Sequence, residues 1–225
     1  MLRIRSLKKS LGSFSLSIDS LEIKAPGIYA LIGPNGCGKS TTAKLLSGIL
    51  APDSGEIAIA LDRRDITMIT QKPYIMDSTV YKNLAYPLKL RGKNSRPLCD
   101  EYLEKIGFIE RKNQKARALS GGEKQKLSLL RAMIFNPRLI ILDEAMTDLD
   151  LDSLDMFEGM VLERQKQDPV IWIIISHQLA HIKRLCDYIF FMAQGCLEAE
   201  GPTEDLLRSP NPQVRRYLRH EEILP

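Results

Sequence analysis

Ile28-Tyr29-Ala30-Leu31-Ile32-Gly33-Pro34-Asn35-Gly36-Cys37-Gly38-Lys39-Ser40-Thr41 is the stretch whose reading decides the fold. Residues 33–40 fit the pattern G-x-x-x-x-G-K-[ST], and the apolar run 28–32 leads straight into them. After the pattern, Thr41, Thr42, Ala43, Leu45 and Leu46 read as a helix. Strand, glycine loop and helix in that order give the pattern its physical meaning. Successive backbone N–H groups of such a loop form an anion nest, and the helix N-terminus adds partial positive charge. Lys39 can reach outer phosphates as a point charge, and the Ser40 hydroxyl suits Mg²⁺. The stretch therefore predicts a site for a nucleoside triphosphate.

The 225 residues suit one α/β domain with a continuous core. Net charge is only +4, from 32 basic and 28 acidic residues, and aromatics are 6%. A nucleic-acid partner would favour a basic stripe interleaved with aromatics, so none is expected. The densest basic run, Arg111, Lys112, Lys115 and Arg117, reads as a solvated face. Cys37, Cys99, Cys186 and Cys196 form no C-x-x-C pair, which fits neither a zinc site nor a disulfide framework. The start, Met1-Leu2-Arg3-Ile4-Arg5, lacks the apolar centre of a signal peptide. The run 170–175 is about a third of a bilayer span. A cytosolic chain that docks on a membrane protein is expected.

Apolar runs recur at 28–32, 139–142, 170–175 and 188–192. Being continuous rather than alternating, they predict strands buried on both faces of a parallel sheet. Residues 153–167 carry a helical stripe (Leu154, Phe157, Met160, Val161), ended by Asp168-Pro169. Near the N-terminus, Phe14, Leu16 and Ile18 alternate with serines and a second short run comes at 21–24, which predicts a small antiparallel sheet. Residues 72–134 contain no long apolar strand; 79–90 and 98–106 have helical spacing across the polar link 91–97. The expectation is a single domain, 1–225, with a helical subdomain at about 72–134.

Leu139-Ile140-Ile141-Leu142-Asp143-Glu144 is an apolar strand ending in two carboxylates. Beside a glycine loop, Asp143 suits Mg²⁺, and Glu144 can take a proton from an attacking water. Leu119-Ser120-Gly121-Gly122-Glu123 precedes a helical run, 124–133. Its serine and glycines suit a second anion site, although Ser with Glu three residues later is also a capping box.

Together these pieces resemble the ATP-binding-cassette (ABC) ATPases along essentially the whole chain. The family order of glycine loop, glutamine loop, LSGG signature, acidic strand, D-loop and switch histidine appears as 33–41, Gln71, 119–123, 139–144, Leu149-Asp150 and His177. The resemblance implies a P-loop NTPase core with a mostly parallel sheet, a small N-terminal antiparallel β-subdomain and a helical insert. It implies ATP held by Gly33, Pro34, Asn35, Gly36, Cys37, Gly38, Lys39, Ser40 and Thr41, with Mg²⁺ at Ser40, Gln71 and Asp143. Catalysis would fall to Glu144, His177, Gln71 and Lys39. In the family's head-to-tail dimer, Ser120, Gly121 and Gly122 of one subunit close over the nucleotide of the other, and Asp150 makes the D-loop contact.

Three departures stand out. Leu11 occupies the position that usually stacks an aromatic ring on adenine, leaving Phe14 to substitute or adenine to be held more weakly. Ala145-Met146-Thr147-Asp148 replaces the usual Pro-Thr-Ser-Ala. The span 55–71 is short, so the antiparallel hairpin there is expected to be compact. Cys37 lies in the phosphate nest, where a positive field favours its thiolate, unless it is an inert loop filler.

Two classes of ABC protein fit this order of motifs: a transporter subunit, and a soluble ABC ATPase of DNA repair, chromosome structure or translation. Only 80 residues separate Lys39 from Leu119, with no heptads or cysteine cluster, and the chain carries one cassette. That favours a transporter subunit, peripheral on the cytoplasmic side of the membrane. Its implied partners are a separate permease, a second copy in the ATP-bound state and a substrate-binding protein. Residues 72–76 and 80–84 are the expected lining of the permease groove. The texture around 83–92 is similar to tungstate or molybdate importers, with amino-acid, phosphate and metal-ion importers as alternatives.

Overall fold

The computed structural model describes residues 1–93, 96–147 and 149–221; Asp148, in the segment that replaces Pro-Thr-Ser-Ala, lies outside them. The strands are β1 (Leu2–Leu11), β2 (Phe14–Ile23), β3 (Gly27–Ile32), β4 (Ser54–Ile59), β5 (Ile66–Thr70), β6 (Leu139–Asp143), β7 (Ile171–Ile175), β8 (Tyr188–Ala193) and β9 (Cys196–Pro202). The helices are α1 (Lys39–Leu46), α2 (Val80–Leu90), α3 (Arg96–Lys105), α4 (Gly121–Met133), α5 (Leu151–Gln167), α6 (Leu179–Leu185), α7 (Thr203–Leu207) and α8 (Pro212–Glu221). The chain divides into two units, 1–68 with 138–144 and 164–225, and 69–137 with 145–163.

The first unit is built on a six-stranded sheet in the order β5-β6-β7-β3-β8-β9. β3 runs parallel to β7 and β8, β6 runs parallel to β7, and β9 returns antiparallel to β8. Every residue of β6 and β7 is buried, as their unbroken Leu/Ile runs predict for strands covered on both faces. The register pairs Asp143 with Ile175 and Ala30 with Ile174. The carboxyl ends of β3, β6 and β7 therefore lie level along one edge, where parallel α/β sheets characteristically take their ligands.

A three-stranded antiparallel sheet, β2-β1-β4, accompanies it. Leu2, Ile4, Leu7, Leu16 and Ile18 join the core formed by β3, α1, β6 and β7. β2 is one ten-residue strand rather than two short runs. β1 leaves a weak trace in the sequence because Arg and Lys interleave its apolar face and Ser6, at φ 46°, breaks its alternation. The register of β1 against β4 shifts there. Opposite, Gly55 has φ 84°, and a Cβ on it would sit 2.3 Å from the Ser6 carbonyl oxygen. The bulge thus requires glycine.

No compact hairpin spans 55–71. β4 pairs with β1 in the small sheet, whereas β5 is the edge of the large one beside β6. A 3-10 turn at Arg63–Asp65, capped by Asp62, redirects the chain between them. The Asp65 carbonyl then accepts the Arg138 N–H at 2.8 Å, tying the start of β5 to the approach of β6.

The second unit gathers α2, α3 and α4. Val80, Leu84, Leu103, Leu127 and Leu130 are fully buried. Asn83, also fully buried, accepts from the Met76 N–H at 2.9 Å and donates to the Met76 and Thr79 carbonyls, fixing the turn into α2. Thr79 caps that helix by accepting the Lys82 N–H.

Ile173 sits at the middle of β7 in the main core and is 3% exposed. Ile173→Ala is expected to cost about 2–5 kcal/mol, through lost burial and the cavity left behind. Calorimetric melting should show this as a drop of several degrees.

Candidate active site

β3 ends at Ile32 and the chain reaches α1 through the loop 33–38. Gly33, at φ 145°, passes so close to β8 that a Cβ would lie 2.0 Å from the Met192 carbonyl oxygen, so no other residue fits. The Cys37 carbonyl accepts the Gly195 N–H at 3.1 Å, pinning the loop to the β8–β9 turn. Thr42 then donates both its N–H and its hydroxyl to the Gly38 carbonyl, at 2.8 and 3.0 Å. These contacts hold the loop open around the N-terminus of α1, which is the geometry of an anion nest.

Lys39 is 6% exposed and donates to the Gly33 and Pro34 carbonyls at 2.6 and 3.1 Å. A buried ammonium whose hydrogen bonds go to neutral carbonyls is well matched to an incoming polyanion. Ser40 Oγ donates to Asp143 Oδ1 at 3.0 Å. Asp143 is buried at the tip of β6; burial pushes its carboxyl above the ordinary 3.8, the Ser40 hydrogen bond opposes this, and the Glu144 charge adds to the rise. A desolvated carboxylate paired with a hydroxyl is an oxygen donor set that suits a small hard cation. Among the described residues, no group of three His, Cys, Asp or Glu side chains could hold a metal. Magnesium at Ser40 and Asp143 would thus need phosphate and water oxygens to complete its shell.

Glu144 comes next at φ 54°, a left-handed conformation that a non-glycine residue adopts at a cost of order 1–3 kcal/mol. Its N–H is bonded to the Ile175 carbonyl at 3.0 Å, which maintains that turn. The turn brings Glu144 Oε1 to 2.7 Å from His177 Nε2. On the other side of the ring, Nδ1 lies 3.7 Å from Oε1 of Glu221 in α8, a contact with no signal in the sequence. A cavity of about 370 Å³ opens over the loop, lined by Leu11 and Phe14 on its apolar side and by Lys39, Ser40, Thr41 and Glu144 on the other.

The first unit thus assembles Gly33, Pro34, Asn35, Gly36, Cys37, Gly38, Lys39, Ser40, Thr41, Asp143, Glu144 and His177. Gln71, Ser120, Gly121, Gly122 and Asp150 belong to the second unit. Gln71 is exposed just beyond β5. Ser120 and Glu123 form the capping box of α4: Ser120 Oγ accepts the Glu123 N–H, and Glu123 Oε2 accepts the Ser120 N–H at 2.8 Å. Gly121 and Gly122 open that helix. Asp150 accepts from the Ser153 N–H and hydroxyl and pairs with Lys126 at 3.2 Å; these contacts hold its carboxyl down at about 2.

Two expectations need correction. Cys37 is 4% exposed, and burial pushes its thiol above the ordinary 9.0, with Lys39 only partly offsetting the rise. Desolvation outweighs the positive field, so the thiolate is not favoured. In the groove expected along 72–76 and 80–84, Val80 and Leu84 are fully buried core instead. Met76 and Tyr81, with Tyr86, Lys82, Lys89 and Lys93, do line a cavity of about 640 Å³ beside α2. Helical periodicity places Val80 and Leu84 on the opposite face of α2 from Lys82 and Lys89.

Residues 16–147 match the family model described as ABC transporter. The chain is 35% identical over 208 residues to the tungstate uptake system ATP-binding protein TupC of Peptoclostridium acidaminophilum, covering 88% of this chain and 97% of that one. It is 28% identical to the methionine import ATP-binding protein MetN of Clostridioides difficile (strain 630), over 100% of this chain and 75% of the relative. A solved ATP-binding subunit of an ABC transporter superposes with a TM-score of 0.85 at 24% identity, covering 98% of this chain and 99% of the other. A bacterial Atm1-family ABC exporter with ATP bound superposes at 0.83, also at 24% identity, over 99% of this chain and 42% of that one. The two superpositions establish the α/β fold.

A thiol reagent applied to the folded protein is expected to modify the half-buried Cys196 well before the buried Cys37, Cys99 and Cys186. Peptide mapping of the labelled sites against time checks this order. Arg111 first and the Ser120 N–H next draw Glu123 down from 4.5 to about 2, so its contacts stabilise the fold fully above pH 4.5. As pH falls through that window, the unfolded chain takes up the proton first and this stability is lost. Urea unfolding midpoints between about pH 5 and pH 2 should fall less steeply for Glu123→Gln than for the parent chain.

Proposed function

The chain belongs to the family of ABC transporter ATP-binding proteins, and from that membership we propose that it powers import of a small oxyanion through a separate membrane permease. It is an ATP-binding protein, an ATPase coupled to transport. The observation carrying the catalytic reading is the convergence of Lys39, Ser40, Asp143, Glu144 and His177 on one sheet edge beside the glycine loop.

In this reading the loop N–H groups of 35–38 and Lys39 receive the outer phosphates, replacing the two carbonyls that Lys39 now contacts. Magnesium, held through Ser40 and Asp143, would supply neutralising charge at the phosphate oxygens. Glu144 accepts a proton from a water whose oxygen bonds to the γ-phosphorus as the bond to the β-phosphate oxygen breaks, releasing ADP and phosphate. His177 bridges Glu144 and the γ-phosphate, so the base stays aimed at the line of attack. Gln71 is the residue to which the family resemblance would assign the orienting of that water. Leu11 and Phe14 supply an apolar rest for the base where many relatives stack an aromatic ring.

A second copy of the chain completes the site in head-to-tail fashion, with its Ser120, Gly121 and Gly122 on the γ-phosphate and its Asp150 at the shared interface. ATP then acts as a ligand of the closed state only, and its hydrolysis reopens the dimer. The cavity beside α2, apolar with a rim of Lys82, Lys89 and Lys93, is the proposed seat for a permease helix bearing acidic side chains. Among the described residues no helix is long and apolar enough to cross a membrane. Peripheral attachment at the cytoplasmic face, with a substrate-binding protein on the other side, accompanies this reading. Similarity to a tungstate uptake protein over 97% of its length supports oxyanion import, with the methionine import relatives as the second possibility.

Glu144→Gln is expected to keep ATP binding while turnover falls at least about 100-fold, the usual scale for a lost general base. Lys39→Ala should weaken ATP binding itself; both are checked by nucleotide titration and phosphate release. Tagged Glu144→Gln with Mg-ATP should retain a multi-span protein from gently solubilised membranes, identified by mass spectrometry. Recovery of ribosomal or DNA-repair proteins without a permease would overturn the transport reading and leave the hydrolytic one intact.

A further inference from the structure

His177 is gripped from both ends of its imidazole. Nε2 faces Glu144 Oε1 at 2.7 Å, and Nδ1 faces Glu221 Oε1 at 3.7 Å. The first carboxylate stands beside the glycine loop; the second belongs to the last turn of α8, 44 residues further along the chain from the histidine. A base, an imidazole and a further carboxylate aligned through the two ring nitrogens is the arrangement in which the outer acid fixes the ring for the inner one.

Helix α8 delivers Glu221 by packing. Val214, Tyr217 and Leu218 are its buried residues, at the spacing of a single helical face. The Tyr217 ring lies 5.6 Å from that of Phe191 in β8 at an interplanar angle of 57°, an edge-to-face pairing on the central sheet. Glu221 comes four residues after Tyr217 and therefore projects from the same side, toward the site. At the other end, Asn211 Oδ1 accepts the Gln213 and Val214 N–H groups at 2.9 and 3.4 Å, fixing where the helix starts. Burial holds the Tyr217 phenol well above its ordinary range, so it stays a neutral anchor. The carboxylate thus rests on a helix anchored to the sheet that carries the glycine loop.

We propose that Glu221 is a positioning residue for His177, making α8 a working part of the ATPase site. The proposal rests on the reading that His177 works at the γ-phosphate. An imidazole held only at Nε2 can turn away from Glu144; with a carboxylate facing each nitrogen, both contacts form when each nitrogen carries its hydrogen, and Glu221, accepting from Nδ1, keeps the Nε2–H on Glu144. The 3.7 Å separation is an ion-pair distance, longer than a hydrogen bond by under about 1 Å, a gap that a small shift of the flexible Glu221 side chain would close. Room for that adjustment exists: Arg216, Tyr217, His220 and Glu221 face a cavity of about 860 Å³ shared with Asn35 and Gly36.

The test combines kinetics with a direct view of the ring. Glu221→Ala is expected to lower kcat for ATP by about 10- to 100-fold with KM nearly unchanged, the upper end being the cost of misplacing a catalytic group by about an ångström. Glu221→Gln, whose amide oxygen still accepts from Nδ1, should restore most of the rate. In a His177→Ala background, Glu221→Ala should cause no further loss. The chain has only three histidines, so ¹⁵N imidazole spectra of the full chain, assigned with His177→Ala, isolate the ring of interest. Its nitrogen resonances should move in Glu221→Ala. Unmoved resonances would overturn the contact, and equal losses with and without His177 would overturn its role as the target. If His177→Ala itself turned over normally, the role given to His177 would fail, and with it the catalytic meaning of Glu221.

Discussion

The level register of β3, β6 and β7 is the constraint on which everything else in the site depends. Asp143 pairs with Ile175 and Ala30 with Ile174, so three strands stop at nearly the same height. Each strand end leads into a different chemistry: a glycine loop, two carboxylates, and a short turn bearing His177. Parallel pairing turns three distant stretches of sequence into one cluster without any long polar side chain having to reach. A slip of one residue in β6 would turn Asp143 to the opposite face, because side chains alternate along a strand.

The core and the site use the same residues. β6 and β7 are buried throughout, with α1 and the small sheet packed into the same core, and burial at the tip of β6 desolvates Asp143. The backbone at Glu144 is left-handed, and its N–H to the Ile175 carbonyl maintains that unfavourable turn. Local strain is thus held in place by fully buried strands, and it sits beside the reacting groups. Lys39 obeys the same logic, since its buried charge rests on loop carbonyls that a polyanion can outcompete.

The second unit is held together differently. The polar contacts at its helix starts are local: the capping box at Ser120 and Glu123, Asp150 on Ser153, and Asn83 closing the turn at Met76. These fix the ends of α2, α4 and α5 and set out Ser120, Gly121, Gly122 and Asp150 at helix starts. Each depends on residues within a few positions of one another, which is why the boundaries of α2 and α4 lie close to those that spacing and capping predict.

Local chemistry was legible without coordinates. The glycine pattern after an apolar run, the acidic end of 139–144, the continuous strands and the capped helix at 120–123 all depend on neighbours in sequence, and all appear where expected. Pairing partners were not legible. Whether β4 turns back on β5 or joins β1 is decided by a 3-10 turn and by the Asp65–Arg138 backbone bond, across more than 70 residues. The place of Cys37 in the phosphate nest suggested an activated thiol, with an inert loop filler as the alternative, but burial, a property of the packed chain alone, reversed the sign. Glu221 lies in a polar, arginine-rich segment that carries no motif, and only the docking of Tyr217 on Phe191 aims it at His177. The sequence by itself determined the elements and the chemical groups each carries, because propensity, capping and periodicity act over a few residues. Tertiary structure alone decided which groups meet and which are desolvated, because both depend on contacts between residues far apart in the chain.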